Sequence, residues 1–274
     1  MHANRFKLRL LRGERLAGLF CFSLSAQAAD ALADCGFDFL LFDTEHSPTG
    51  LTLLYSQLLA LGRGPTQPIV RVIANDAVVF KPVLDMGVDT LMVPNVRSAA
   101  EAEAAVGAMR YPPAGQRGIG GTVRATRYGR DASYYAAAAE RACLIVQVES
   151  GEGLAELEAI CAVPGVDCVL FGPADLSTGL GYLAQPEHPA VVSAIEDGIR
   201  RVRKAGKFAG VVAAGETAQR YLDAGATMLC LGADLGIMVK ACDALAAQWV
   251  LPATPDDSAA AASPARLPSG LPPS

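Results

Sequence analysis

The chain has 274 residues, of which 51% are hydrophobic and 19% are charged, so it can bury a sizeable core. Its formal net charge of −5 argues against a nucleic-acid partner. No apolar stretch reaches the length of a transmembrane helix, and the amino terminus lacks the apolar segment and cleavage site of a signal peptide.

Short apolar runs alternate with longer helical patterns along the whole chain. Predicted strands cover residues 16–23, 37–43, 68–73, 90–96, 143–149, 167–172, 207–213 and 228–232. Predicted helices cover residues 26–34, 51–61, 78–86, 99–109, 153–162, 189–205, 217–224 and 236–249, and glycines follow several of them. Eight such repeats predict an α/β fold, a single-domain (β/α)8 TIM barrel over residues 1–251.

A doubly wound open sheet is the alternative fold, but the first strand is not followed by the GxGxxG motif of its dinucleotide-binding form. Residues 252–274 are rich in Pro, Ala and Ser, and we expect a disordered tail there. The seven cysteines form no CxxC pair, and most lie in apolar runs. This pattern favours buried, reduced thiols in a cytoplasmic protein.

One connection, between residues 109 and 141, is unusually long. Loops of this length in compact domains are usually functional, although a solvated surface insertion is the alternative. We expect it to lie over the mouth of the barrel and to supply anion-binding charge from its three candidate arginines, which are Arg117, Arg124 and Arg127.

Several predicted strands end in polar residues. Side chains alternate between the two faces of a strand, so Gln147 and Glu149 point to the same side as Cys143 and Ile145. Glu149 ends the fifth strand and Asp175 follows the sixth, and active sites of these barrels lie at the carboxyl ends of the strands. Two neighbouring carboxylates suit Mg²⁺ or Mn²⁺. The alternative is that Glu149 caps a helix and Asp175 is a turn residue.

Two further strand ends carry candidate catalytic groups. His46 follows the second strand between carboxylates and is a candidate general acid or base. Arg71 has an inward position on the third strand. A buried arginine needs an anionic partner, which is either Glu45 or Asp43 or a developing enolate oxygen.

The turn around Ala174 and Asp175 frees backbone N–H groups that can bind a carboxylate, and Gln147 would donate a hydrogen bond nearby. A 2-oxo acid could then chelate the metal. None of the five lysines falls at the carboxyl end of a predicted strand, so metal activation is favoured over a Schiff base.

Four segments together resemble the HpcH/HpaI aldolase family: FDFLLFDTEHSP at 37–48, RYPPAGQRG at 110–118, QVE at 147–149 and FGPADLS at 171–177. The resemblance implies a metal-dependent (class II) pyruvate aldolase on a (β/α)8 barrel, of the 4-hydroxy-2-oxoheptanedioate or 2-dehydro-3-deoxyglucarate type. Members are commonly hexameric and use Mg²⁺, Mn²⁺ or Co²⁺.

The same resemblance implies roles for individual residues. Glu149 and Asp175 would bind the metal, His46 would be the base, and Arg71 would stabilise the enolate. Gln147 and the backbone of Ala174 and Asp175 would hold pyruvate. An aspartate that raises the basicity of the histidine matches Asp85, yet its position in the sequence places it at the end of a helix near the barrel bottom, unless a neighbouring subunit supplies it.

The expected activity is cleavage of a 4-hydroxy-2-oxo acid to pyruvate and an aldehyde, with His46 or a water that it orients as the base. Two other functions stay open. A citrate-lyase-type acyl-CoA lyase would need Arg117, Arg124 and Arg127 to bind the phosphates of CoA. A non-catalytic barrel that senses a small acid is the second alternative.

Overall fold

The computed structural model describes residues 3–249. In this part of the chain, eight parallel strands pair in chain order and the eighth pairs with the first, which closes a barrel. The strands are β1 (Leu16–Cys21), β2 (Phe39–Asp43), β3 (Gln67–Arg71), β4 (Thr90–Val93), β5 (Cys143–Val148), β6 (Val166–Phe171), β7 (Phe208–Val212) and β8 (Met228–Ala233). The predicted (β/α)8 barrel is therefore confirmed.

The helices begin with α1 (Arg5–Leu11), α2 (Ala26–Ala33), α3 (Leu51–Leu61), α4 (Ala77–Asp85), α5 (Ala99–Met109) and α6 (Tyr134–Arg141). They continue with α7 (Gly151–Ala155), α8 (Leu157–Ala162), α9 (Pro173–Gly179), α10 (Pro189–Lys204), α11 (Gly215–Ala224) and α12 (Asp234–Trp249). The helices α1, α6 and α9 are not among the predicted elements: α1 precedes the first predicted strand, and α6 and α9 lie in stretches predicted as connections.

Strand β5 shows how the alternation of side chains builds two cores. Cys143 and Ile145 belong to a cluster that fills the barrel interior, whereas Leu144, Val146 and Val148 belong to the larger cluster between the strands and the helices. All of these side chains are buried. By the same alternation, Gln147 and Glu149 are the next inward residues, and their polar groups lie at the carboxyl end of the barrel interior.

The amino end of the barrel is closed by helix α1. Phe6 and Leu10 lie one turn apart and are buried in the interior cluster, where the ring of Phe6 packs edge-on against Phe39 at 5.5 Å between centroids. Asn4 caps the helix through its Oδ1, and its Nδ2 donates to Thr90 Oγ1 at 3.0 Å. This helix therefore seals the end of the barrel opposite to the carboxyl ends of the strands.

The long connection before α6 lies at the amino end of the barrel, so the prediction that it covers the mouth is wrong. It follows helix α5, and a helix of this fold runs back from the carboxyl end to the amino end of the strands. Arg124 donates to the carbonyl oxygens of Leu58 and Met86, at the carboxyl ends of α3 and α4. The side chain of Arg117 is buried between the rings of Tyr111 and Tyr134.

The chain divides into two compact units, one up to Leu235 and one from Gly236 onward. Helix α12 has no buried side chain, and its Ile237, Met238, Val239 and Leu245 are all more than half exposed. Within residues 3–249, no helix combines the length and apolar character that crossing a bilayer requires. The predicted boundary between residues 251 and 252 lies outside the described residues.

Candidate active site

The predicted site residues of strands β2, β3, β5 and β6 meet at the carboxyl end of the barrel. Arg71 is the last residue of β3, Gln147 is the last but one of β5 and Glu149 follows that strand. Asp175 lies in the first turn of α9, shortly after β6. Four of the charged or polar side chains here are at least nine-tenths buried, namely Asp43, Arg71, Gln147 and Glu149. Such groups are costly to bury unless they pair with one another or bind a ligand.

Arg71 is fixed by Asp43 in a bidentate ion pair. Its Nε donates to Asp43 Oδ1 at 2.6 Å and its Nη2 to Asp43 Oδ2 at 2.8 Å. The guanidinium also lies 5.0 Å from the centre of the Phe20 ring. Burial alone would lower the pKa of Arg71, but the hydrogen bonds and charge of Asp43 raise it above the ordinary value. The arginine is therefore permanently charged and held in one orientation.

The remaining nitrogen of this guanidinium faces the mouth. Arg71 Nη1 lies 3.0 Å from Glu45 Oε2 and 3.5 Å from Gln147 Oε1. Glu45 Oε2 accepts no hydrogen bond from the described residues, so its contact with Arg71 is ionic but poorly directed. Nη1 is thus the donor that a substrate oxygen can reach.

Glu149 is oriented by three neighbours. The backbone N–H of Asn95 donates to its Oε1 at 2.9 Å, and Gln147 Nε2 donates to its Oε2. Asn95 adopts a φ of 51°, a left-handed conformation that asparagine tolerates better than most residues. A Cβ on Gly172 would lie 2.6 Å from Glu149 Oε2, so glycine is needed for β6 to approach this carboxylate.

Carboxylates of like charge surround Glu149. Burial, together with the charges of Asp175 and Glu45, raises the pKa of Glu149 to about 7. The pKa of Glu45 is also raised, mainly by burial. Buried acids gathered at the ends of neighbouring strands are an arrangement that a bound cation would stabilise.

The residues fit a divalent metal with few protein ligands. The described residues contain no group of three or more His, Cys, Asp or Glu side chains arranged to hold a metal ion. Two carboxylates, Glu149 and Asp175, are nonetheless a sufficient protein ligand set for Mg²⁺, which keeps several waters and binds through one or two carboxylates plus substrate oxygens.

His46 lies at the rim of this site. Its backbone N–H donates to Asp43 Oδ2 at 3.1 Å, and its Nε2 is 3.7 Å from Glu45 Oε2. The imidazole is 57% exposed. Asp43 therefore fixes both the strand end that carries His46 and the guanidinium of Arg71. The imidazole itself is open to solvent.

Asp85 lies elsewhere in the chain. It is the last residue of α4, and its Oδ1 pairs with Arg117 Nη2 at 3.1 Å. Helix α4 ends at the amino end of the barrel, whereas His46 follows a strand at the carboxyl end. The structure of one chain therefore does not bring these two residues together, and the assignment of Asp85 to the site remains a prediction.

Three features of the site were not assigned from the sequence. The first is the bidentate partner of Arg71, because the sequence left Asp43 and Glu45 as equal alternatives. The second is Glu45 as a third carboxylate near Glu149 and Asp175. The third is the packing of Gly172 on Glu149. The inward parity of Asp43 with Phe39 and Leu41 on β2 was a signal that could have identified the first.

Comparisons with known proteins identify the family of the chain. A family described as HpcH/HpaI aldolase/citrate lyase matches residues 16–241. The chain is 48% identical over 248 residues to a hydroxypyruvate/pyruvate aldolase of Pseudomonas aeruginosa, which covers 90% of this chain and 92% of that protein. It is 44% identical over 253 residues to a 4-hydroxy-2-oxo-heptane-1,7-dioate aldolase of Escherichia coli, and this alignment covers 92% of this chain and 97% of that protein.

A solved structure gives the same result at the level of the fold. The crystal structure of a protein of the same family from Burkholderia cenocepacia superposes with a TM-score of 0.86 at 37% identity, covering 90% of this chain and 99% of that one.

Proposed function

The chain belongs to the HpcH/HpaI aldolase/citrate lyase family, and from that premise we propose that it is a class II pyruvate aldolase. As a carbon–carbon lyase, it cleaves a 4-hydroxy-2-oxo acid to pyruvate and an aldehyde and can run the reaction in reverse. The observation that carries the proposal is the guanidinium of Arg71, which Asp43 fixes through two hydrogen bonds while its third nitrogen, Nη1, lies beside Glu45 and Gln147.

We assign the metal to Glu149 and Asp175, with Mg²⁺ or Mn²⁺ as the physiological ion and Co²⁺ as a substitute. Burial, followed by repulsion from Asp175 and Glu45, raises the pKa of Glu149, and a bound divalent cation would offset both effects. When bound, the ion supplies Lewis-acid stabilisation of negative charge on the 2-oxo group.

The protein groups then have separate tasks. The first N–H groups of α9, at Ala174 and Asp175, have no intrahelical partner and are free to bind the carboxylate of the 2-oxo acid. Gln147 orients Glu149 and adds a hydrogen bond near the substrate. Arg71 stabilises the oxygen that becomes negative as the enolate forms.

Cleavage requires the loss of the C4 hydroxyl proton. His46, or a water that it orients, takes this proton, the C3–C4 bond breaks, and its electron pair forms the enolate of pyruvate while the aldehyde leaves. A proton added at C3 then gives pyruvate. The exposed position of the His46 imidazole lets solvent reach the group that takes this proton.

A homo-oligomer, and by resemblance a hexamer, is part of the proposal. The exposed apolar side chains of helix α12 support it, since exposed apolar surface of this kind marks interaction sites. In such an assembly a neighbouring subunit would bring Asp85 toward His46. All seven cysteines are free thiols, which is usual in reducing compartments, and a cytoplasmic location remains a prediction.

The acyl-CoA lyase alternative requires arginines at the mouth that could bind the phosphates of CoA. Its three arginines lie in the loop at the amino end of the barrel, and the side chain of Arg117 is only 3% exposed. Within one chain, these residues therefore do not line the mouth.

The test is pyruvate release from a panel of 4-hydroxy-2-oxo acids, measured before and after EDTA treatment and after Mg²⁺ or Mn²⁺ is restored. We expect metal-dependent release. Cleavage of CoA thioesters instead would support the lyase alternative, and binding of oxo acids without turnover would support a sensor. Full activity after EDTA and dialysis would contradict the metal assignment.

A further inference from the structure

A polar cavity lies at the amino end of the barrel, opposite in this chain to the strand ends that carry the candidate active site. Its volume is about 150 Å³. Its walls come from the turn before β3, the residues before β4 and β5, the long loop and the segment before α1. None of the residues proposed for the aldolase reaction lines it.

The side chains around this cavity are unusually rich in arginine. Five guanidinium groups line it, against the two carboxylates of Asp89 and Asp131. The arginines are Arg5, Arg63, Arg124, Arg127 and Arg141. The wall therefore carries a clear excess of positive charge, although the chain as a whole carries a net charge of −5.

Two of the guanidinium groups are held in place by the fold. Arg141 donates from Nε and Nη2 to Asp89 Oδ2, at 3.2 and 2.7 Å. Arg124 donates to the carbonyl oxygens of Met86 and Leu58, at 2.7 and 3.2 Å. Carbonyl oxygens do not neutralise a charge, so Arg124 is fixed yet has no counter-ion among these contacts.

The other three arginines bring like charges to the same space. Arg5, Arg63 and Arg127 are exposed, and within residues 3–249 the structure assigns none of them an ion pair. Arg63 is close enough that its charge, added to the effect of burial, lowers the pKa of Arg124. Arg127 also adopts a left-handed φ of 53°. Like charges gathered without partners are destabilising unless an anion joins them.

We propose that this cavity binds a small anion with two or more negative charges, carried on carboxylate or phosphate oxygens. Planar guanidinium groups match both kinds of oxyanion and can bind them in a bidentate manner. The volume restricts the ligand to a small molecule, since pockets for drug-sized ligands usually begin near about 300 Å³.

The ligand would join parts of the chain that are distant in sequence. Arg63 precedes β3, Arg141 precedes β5, and Arg124 and Arg127 belong to the long loop. A bound anion would therefore stabilise this loop on the barrel, and it would raise the melting temperature in proportion to ligand concentration.

The test uses isothermal titration and thermal unfolding of the full-length protein with inorganic phosphate and with citrate, in EDTA, against sodium chloride at the same ionic strength. The double variant Arg63→Ser/Arg127→Asn removes two exposed charges and keeps a residue that tolerates the left-handed backbone at 127. The control Arg200→Ser/Lys204→Ser removes two exposed charges from α10, which does not line the cavity.

We expect phosphate, citrate or both to bind the wild type and the control, and the cavity variant to bind at least about tenfold more weakly. Whichever anion binds more tightly identifies the phosphate or the carboxylate class. Hydrogen exchange should show protection at residues 62–68 and 124–131. Equal binding by all three proteins, no binding of either anion, or protection confined to residues 43–47 would overturn the proposal.

Discussion

At the carboxyl end of the barrel, the buried carboxylate of Glu149 lies beside other acids, whereas at the amino end the mostly buried guanidinium groups of Arg117 and Arg141 pair with aspartates. Glu149 shares its surroundings with Asp175 and Glu45, and its pKa is raised to about 7. Arg141 and Asp89, by contrast, form a 2.7 Å ion pair in which both side chains are mostly buried. The acids around Glu149 therefore store electrostatic strain that a bound cation would relieve, whereas the Arg141–Asp89 pair stabilises the fold without a ligand.

Glu149→Gln tests the carboxyl end and should have the largest effect on activity. The variant keeps the size of the side chain but removes a charged ligand, so we expect turnover to fall by at least about a thousandfold, or roughly 4 kcal/mol. Metal titration followed by calorimetry should show weaker binding in the same variant.

The matched control is Glu152→Gln. Glu152 lies three residues further on, and its side chain is 75% exposed. It should retain wild-type turnover and metal affinity. Equal losses in the two variants would mean that Glu149 acts only through the general negative charge of this face.

Phe6→Ala tests the amino end, where the expected effect is on stability. The ring is 1% exposed in the interior cluster, and its removal leaves a cavity, so the free energy of unfolding should fall by about 4 kcal/mol. Turnover per folded molecule should stay unchanged. Leu11→Ala, at a side chain that is 60% exposed, serves as the control in denaturant titrations. A loss of turnover without a loss of stability would contradict the separation of the two ends.

The pH dependence of stability should reveal the strain at Glu149. Its pKa is about 7 in the folded, metal-free protein, against an ordinary value of 4.5. Between these values the folded state binds more protons than the unfolded state, so the free energy of unfolding should fall as pH rises from about 4.5 to about 7, by up to about 3 kcal/mol.

The free energy of unfolding, measured for the metal-free wild type and for Glu149→Gln across this pH range, isolates the contribution of Glu149 to stability. The difference between the two proteins should shrink toward acid pH, where the glutamate is already neutral. Added Mg²⁺ or Mn²⁺ should stabilise the wild type more at pH 8 than at pH 5. A parallel pH profile in the two proteins would show that Glu149 titrates normally.

The alternation of residues within a strand predicted the features that depend on that strand alone. The alternation along β5 predicted that Gln147 and Glu149 share a direction, and both indeed surround the mouth. Helix α1 was missed because Phe6 and Leu10 span a single turn, too little for a period to be recognised.

The sequence does not predict features that depend on distant parts of the chain. The long loop lies at the amino end because it follows helix α5, which runs back from the end of β4. The anionic partner of Arg71 was left undecided because strand parity gives the direction of a side chain but not its neighbour across the barrel. The role of Asp85 depends on contacts between subunits, which a single sequence does not specify.

His46→Ala tests whether the exposed rim of the site carries out the proton transfer. We expect cleavage to slow by about a hundredfold, roughly 2.7 kcal/mol, because a positioned base contributes that much or more. The control is His188→Ala. His188 caps helix α10 through Nδ1 and stacks on Tyr182 at 3.8 Å, so its loss should lower stability but not turnover. Equal turnover in the two variants at several pH values would remove His46 from the mechanism.

Arg71→Lys tests whether geometry or charge makes the carboxyl end reactive, and it should have the smallest of these effects. Lysine keeps the positive charge beside Glu45 and Asp43 but loses the planar fork that donates twice to Asp43. It then cannot hold Asp43 and reach a substrate oxygen at the same time. We expect turnover to fall by more than about tenfold, or roughly 1.4 kcal/mol. Since Asp43 also accepts the backbone N–H of His46, proton exchange at the methyl group of pyruvate should fall as well. Wild-type turnover in the lysine variant would show that charge alone suffices, and that the bidentate pair serves the fold rather than the reaction.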